Sequence, residues 1–120
     1  MHTALVECAS PIPSEERRQW PRVKAAVQVE LRPRNSDVPL RATTADLSTG
    51  GCYVEMLFPL EIGEELSIVL WLGLAKVVTG GRVVTCHPQV GNGIQFVDMA
   101  PVDRDLLETF LEVASEQAAQ

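Results

Sequence analysis

Along most of this chain apolar residues fall at every second position, in short runs interrupted by glycine, proline and serine. Residues 25–31 alternate Val27, Val29 and Leu31 with Gln28 and Glu30, the period of two that a half-buried strand requires. Residues 40–47 and 51–56 predict two more strands, separated by Ser48-Thr49-Gly50-Gly51, whose paired glycines permit a tight turn. Another turn is expected over 58–63, before the β-rich run 66–72. Residues 75–86 predict one long strand, with a bulge or bend at Thr79-Gly80-Gly81. Gly91-Asn92-Gly93 reads as a turn into a last strand over 94–97. Cys52, Cys86 and Trp71 fall within these runs, and the simplest assignment for each is the core.

After Pro101 the period changes. Leu106, Leu107, Phe110, Leu111 and Ala114 follow helical spacing, and Pro101 suits a first helical turn, where its missing N–H costs nothing. Asp103 and Asp105 complement the helix dipole near that end. Residues 115–120 are polar enough to fray, and residues 1–14, with two prolines and no periodicity, read as a flexible leader. The folded domain is therefore expected over 15–114. Short strands followed by one amphipathic helix predict an all-β fold, a small antiparallel barrel or sandwich whose open end the terminal helix covers.

Composition narrows the class without changing this picture. A chain of 120 residues with 46% apolar side chains fits one domain, and at that size roughly two thirds of the unfolded surface is buried, enough for a core without staples. Cys8, Cys52 and Cys86 include no C-x-x-C pair, and His2 and His87 stand alone, so neither a disulfide framework nor a metal site is expected. Reduced thiols and the lack of a basic, then apolar, leader predict a cytoplasmic protein. The longest uncharged apolar stretch, 68–75, is far short of the ~20 residues of a membrane helix, so no membrane insertion is expected.

The net charge of −6 conceals a polarity along the chain. Seven of the ten basic residues (Arg17, Arg18, Arg22, Lys24, Arg32, Arg34 and Arg41) lie between positions 17 and 41 with only Glu30 and Asp37 among them, a local charge of +5. The remainder is acidic, which opposes binding to long polyanions such as DNA or RNA and leaves a small anionic ligand as the natural partner of the basic arm. Catalysis finds little support. There is no histidine constellation, no G-x-S-x-G elbow and no phosphate-loop glycine pattern, and no cofactor is expected.

Two clusters carry chemistry. Arg17, Arg18 and Arg22 surround Trp20 just before the first strand, and arginine forks bond phosphate oxygens and the O6 and N7 edge of guanine. In Asp46-Leu47-Ser48-Thr49-Gly50-Gly51, a carboxylate able to accept from guanine N1 and N2 stands beside a hydroxyl and a glycine that admits close backbone approach. Alone, the first reads as a solvated entry segment and the second as an ordinary hairpin turn. Together, R-x-x-x-R at Arg18 and Arg22 followed by D-x-S-x-x-G at Asp46, Ser48 and Gly51 resembles the PilZ domain family, bacterial receptors for cyclic di-GMP. Gly93-Ile94-Gln95-Phe96 entering the last strand, then Val97-Asp98 and a closing helix, extend the resemblance over 15–111.

The resemblance implies a six-stranded antiparallel PilZ-type barrel capped by a C-terminal helix. It implies that Arg18 and Arg22 grip the phosphates and guanine edges of cyclic di-GMP, that Asp46 and Ser48 bind from the barrel surface, and that Gly51 holds the turn. Arg17, directly before the motif, is the extra cation that in this family accompanies an intercalated pair of ligands, so two molecules per protomer are expected. Signalling in motility or biofilm control through an unidentified downstream protein is the implied output. The alternatives are a PilZ-like adaptor of pilus or motility assembly that binds no ligand, and an unrelated small barrel binding nucleic acid or a flavin.

Overall fold

Leu66, Ile68, Leu70 and Leu72 are buried while Glu65, Ser67 and Trp71 are exposed, so period-two alternation becomes two faces of one strand. The same sorting holds around a closed barrel. A computed structural model describes residues 22–118. Among them six strands, β1 (Gln28–Pro33), β2 (Leu40–Leu47), β3 (Gly51–Glu55), β4 (Glu65–Leu72), β5 (Ala75–His87) and β6 (Gly91–Val97), precede one helix, α1 (Pro101–Ala118). Around the barrel they run β1-β2-β3-β6-β5-β4, every neighbouring pair antiparallel. Closure leaves no free sheet edge.

Inward side chains of all six strands form the core, among them Val29, Leu31, Leu47, Val54, Ile68, Leu70, Val77, Val83 and Ile94. From α1, Leu107 and Leu111 join the same cluster, with Met99 packed just before the helix. Of the barrel or sandwich that the strand and helix periods left open, this is the barrel, with the six strands and terminal helix that the resemblance implied. The leader expected over 1–14 lies outside the described residues.

Four local expectations are corrected. Gly91-Asn92-Gly93 is the start of β6 and not a turn; the reversal falls over 87–90, where Val90 N–H donates to His87 O at 2.9 Å and Gln89 takes φ 65°. Asn92 is wholly buried because its amide acts as a clasp: Oδ1 accepts from Leu60 N at 2.7 Å, while Nδ2 donates to Leu60 O at 2.8 Å and Thr85 O at 3.1 Å. Gly80 and Gly81 lie in unbroken register with β4 and β6, and the irregularity in β5 sits instead between Val83 and Thr85. Gly81 is required by packing, since a β-carbon there would collide with the Ile68 side chain. Trp71 is on the outer face, paired across the sheet with Gln28 and Lys76. Finally, residues 115–118 continue the helix, because its ladder runs past the last buried apolar position.

Candidate ligand-binding site

The expected strand over 25–31 begins only at Gln28, and the reason lies in the threonine opposite it. Thr44 is buried, its hydroxyl donating to Ala25 O at 2.6 Å and accepting from Val27 N at 2.9 Å, while its own N–H donates to Val27 O at 2.9 Å. A side chain thus replaces part of the ladder, and the chain leading into β1 bulges before rejoining β2. Farther back it returns to regular pairing: Val23 N donates to Leu47 O at 2.8 Å and Leu47 N to Val23 O at 2.9 Å.

That bridge fixes what stands beside what. Val23 packs on the core with Leu47, which leaves Arg22 and Lys24 on the outer face. Continuing an antiparallel bridge by one residue each way sets Arg22 opposite Ser48 and Lys24 opposite Asp46. Arg22 and Lys24 are exposed and Asp46 half-buried. Among the described residues neither Arg22 nor Asp46 has an ion-pair partner. Arg17 and Arg18 lie outside the described residues, as does Trp20.

Ser48 and Gly51 build the turn after β2. The Ser48 hydroxyl accepts from Gly50 N at 3.2 Å and Gly51 N at 3.1 Å and lies 3.2 Å from Gly51 O, to which it donates; Ser48 N donates to the same carbonyl at 2.8 Å. Only 6% exposed, the serine is a brace within the turn. Gly51 is there because the Ile94 carbonyl of β6 occupies the space a β-carbon would need. Gly50 O in turn accepts from Phe96 N at 2.9 Å.

Cross-strand register extends this corner into a face. Asp46 pairs with Tyr53, Tyr53 with Gly93 and Gly93 with Thr85; one step on, Glu55 pairs with Gly91 and Gly91 with His87. Both glycines are enforced by their neighbours: a side chain at Gly91 would strike Val54 O and the Tyr53 ring, and one at Gly93 the Thr85 hydroxyl. The bare β6 strip is spanned by Tyr53, whose hydroxyl sits 2.9 Å from His87 Nδ1 with ring centroids 5.8 Å apart. Burial first, then coulombic effects of Cys86, Asp46 and Glu55, raises the Tyr53 phenol above its ordinary pKa. The neighbouring Cys52 is buried in the core and its thiol pushed up to about 12, mainly by burial and further by Asp46.

Sequence patterns alone missed Tyr53, His87 and Arg104. The first two meet only through strand register. Arg104, on α1, directs Nη1 to Thr49 O at 3.4 Å and so ties the helix to the turn.

The family model for the PilZ domain matches residues 16–113. The chain belongs to the PilZ domain family. No curated protein sequence matches it. Solved structures share the fold: the PilZ domain of YcgR from Escherichia coli with c-di-GMP superposes with TM-score 0.69 at 15% identity, over 85% of this chain and 94% of that one. The PilZ domain of CeSA from a cellulose-synthesizing bacterium gives TM-score 0.60 at 19% identity, over 82% and 98%. The Bacillus subtilis inhibitor of motility MotI/DgrA gives TM-score 0.68 at 20% identity over 80% of this chain, which spans only 50% of that protein's chain. Among the described residues of this PilZ domain no helix is long and apolar enough to cross a membrane, and no group of three or more potential ligands could hold a metal.

Proposed function

We propose that this PilZ domain is a receptor for cyclic di-GMP that passes ligand occupancy to a partner protein. One observation carries the reading: the Val23–Leu47 bridge sets the end of R-x-x-x-R beside the D-x-S-x-x-G turn, although 23 residues separate Arg22 from Asp46. An arginine fork for phosphate and guanine edges and a carboxylate for guanine N1 and N2 then face the same solvent. Such a pairing of opposite charges across one corner suits a ligand that is itself anionic at its phosphates and donor-rich at its bases. The YcgR domain of the same fold was solved with c-di-GMP.

Each residue has a distinct part. Arg18 and Arg22 neutralise phosphates, with Arg17 adding a third guanidinium for a second ligand. Asp46 accepts from guanine. Gly51 and Ser48 hold the turn open to the ligand, Ser48 by bracing the backbone; a direct bond from its hydroxyl to phosphate would require it to release Gly51 O. Tyr53 and His87, their rings tilted 41° to each other, offer aromatic surface beside the bare β6 strip on which a purine could stack. Neutralising the arm lets it close over this corner, and Arg104 gives the turn a contact through which α1 feels the change.

Calorimetric titration with cyclic di-GMP on the unaltered protein and on Arg18→Ala tests the reading. Binding that weakens by at least about tenfold in the variant supports it. No heat of binding in the unaltered, folded protein overturns it in favour of an adaptor that binds no ligand.

A further inference from the structure

α1 carries two apolar faces, and the barrel uses only one. Leu107 and Leu111 are buried in the core, with Phe110 half-buried beside them. On the far side Val102, Leu106 and Val113 are 65%, 39% and 48% exposed. Together with Thr109 they recur at steps of four, three and four residues, so at about 3.6 residues per turn all four lie in one strip. The strip from Val102 to Val113 is about 17 Å long at 1.5 Å per residue, three turns with the spacing of a helix-pairing seam. A single exposed leucine needs no explanation, but an aligned row opposite a complete core face does.

Charge decides what fits there. Asp105, Glu108, Glu112 and Glu116 are all exposed, and on a helical wheel they fall together along one border of the strip. The helix's one cation, Arg104, is half-buried and turned toward Thr49 O. No basic residue occupies the last turn, where Glu116, with Glu112 one turn before, meets the negative end of the helix dipole. The helix therefore tolerates unfavourable charge on the border of an exposed seam, and nothing within the chain's described residues offsets it.

We propose that this face docks an amphipathic helix of a partner protein, its apolar seam laid on Val102, Leu106 and Val113 and its lysine or arginine border against Glu108 and Glu112. A second copy of this chain fits poorly, because pairing α1 with itself would bring carboxylates against carboxylates. The assignment does not depend on cyclic di-GMP.

Two synthetic helical peptides of about five turns, sharing one leucine seam but flanked either by lysine and arginine or by glutamate, are suitable probes in fluorescence anisotropy with the full chain. The basic peptide binds and the acidic one does not. Affinity for the basic peptide falls by about tenfold or more in Leu106→Ser/Val113→Ser, which removes the seam, and in Glu108→Lys/Glu112→Lys, which reverses the border. All four positions are exposed, and circular dichroism verifies that the variants fold. The proposal is overturned by equal binding of both peptides, by unchanged affinity in the seam variant, or by no binding at all. It is equally overturned by a dimer in sedimentation equilibrium, or adsorption to phosphatidylglycerol vesicles, that Leu106→Ser abolishes, since these assign the face to a second copy or to lipid.

Discussion

The α-carbon of Gly51 lies against the carbonyl oxygen of Ile94 so closely that no β-carbon fits between them. The last residue of the D-x-S-x-x-G turn is thus pressed on the strand that ends the barrel, and the turn's position is set by β6. Gly51→Ala must push β3 away from β6. A loss of about 1–3 kcal/mol is expected from forced overpacking, read as a lower urea midpoint with unchanged m-value. Because displacement moves Ser48 and Asp46 together, cyclic di-GMP binding weakens even where the variant is fully folded.

Thr44 is the joint between the arm and the barrel. Replacing it by valine keeps the shape and removes the hydroxyl, leaving Ala25 O and Val27 N without the partner each has in the buried side chain. Two buried groups lose a bond worth about 1 kcal/mol each, so Thr44→Val loses about 1–3 kcal/mol. Residues 22–27 then exchange their amide hydrogens faster than β1 does, which hydrogen-exchange mass spectrometry resolves.

For Arg22 and Asp46 the opposite balance is expected. Both side chains are solvent-accessible and neither belongs to the core, so Arg22→Ala and Asp46→Ala leave the unfolding midpoint nearly unchanged. Each removes one bidentate or charge-assisted contact worth ~1–3 kcal/mol, and titration should show cyclic di-GMP affinity lower by about ten- to a hundredfold. Unchanged affinity in a folded variant removes that residue from the site.

Strand alternation was legible where one face is wet, as in β4, and the helix was legible from its change of period. What pattern reading misplaced were the glycines. Gly91, Gly93 and Gly81 look like turn and bulge signals, yet none has the positive φ of a turn residue; each is small because a neighbouring strand or side chain fills the space. Asn92 completes the misleading turn signature while serving as a buried clasp for Leu60. At the candidate site, Arg22, Asp46, Ser48 and Gly51 were readable as a motif. Tyr53 and His87 were not, since the hydrogen bond between them spans 34 positions and depends on the register of β3, β6 and β5.

Cys52 makes the barrel sensitive to alkali. Its thiol is neutral in the folded state up to about 12 against an ordinary value of 9.0. Above pH 9 the unfolded chain therefore loses a proton that the folded chain keeps. Fewer protons on the unfolded state mean stability falls with rising pH across that window, and Cys52 adds no pH dependence below it. Tyr53, also raised, acts in the same direction. Urea midpoints measured from pH 7 to 11 should be flat and then fall, and Cys52→Ala should make the fall shallower. At pH 8 a thiol reagent should modify half-buried Cys86 well before Cys52.

On the proposed reading, Arg17 sets how many ligands the arm can hold. One cyclic di-GMP brings two phosphodiester charges, which Arg18 and Arg22 balance; a second, stacked on the first, brings two more against the remaining cations Arg17 and Lys24. Removing Arg17 leaves the second ligand short of charge while the first keeps its own pair. Titration of the unaltered protein should therefore saturate at two ligands per chain and Arg17→Leu at one, with the affinity of the first site little changed. Saturation at one ligand in the unaltered protein would assign Arg17 to affinity alone.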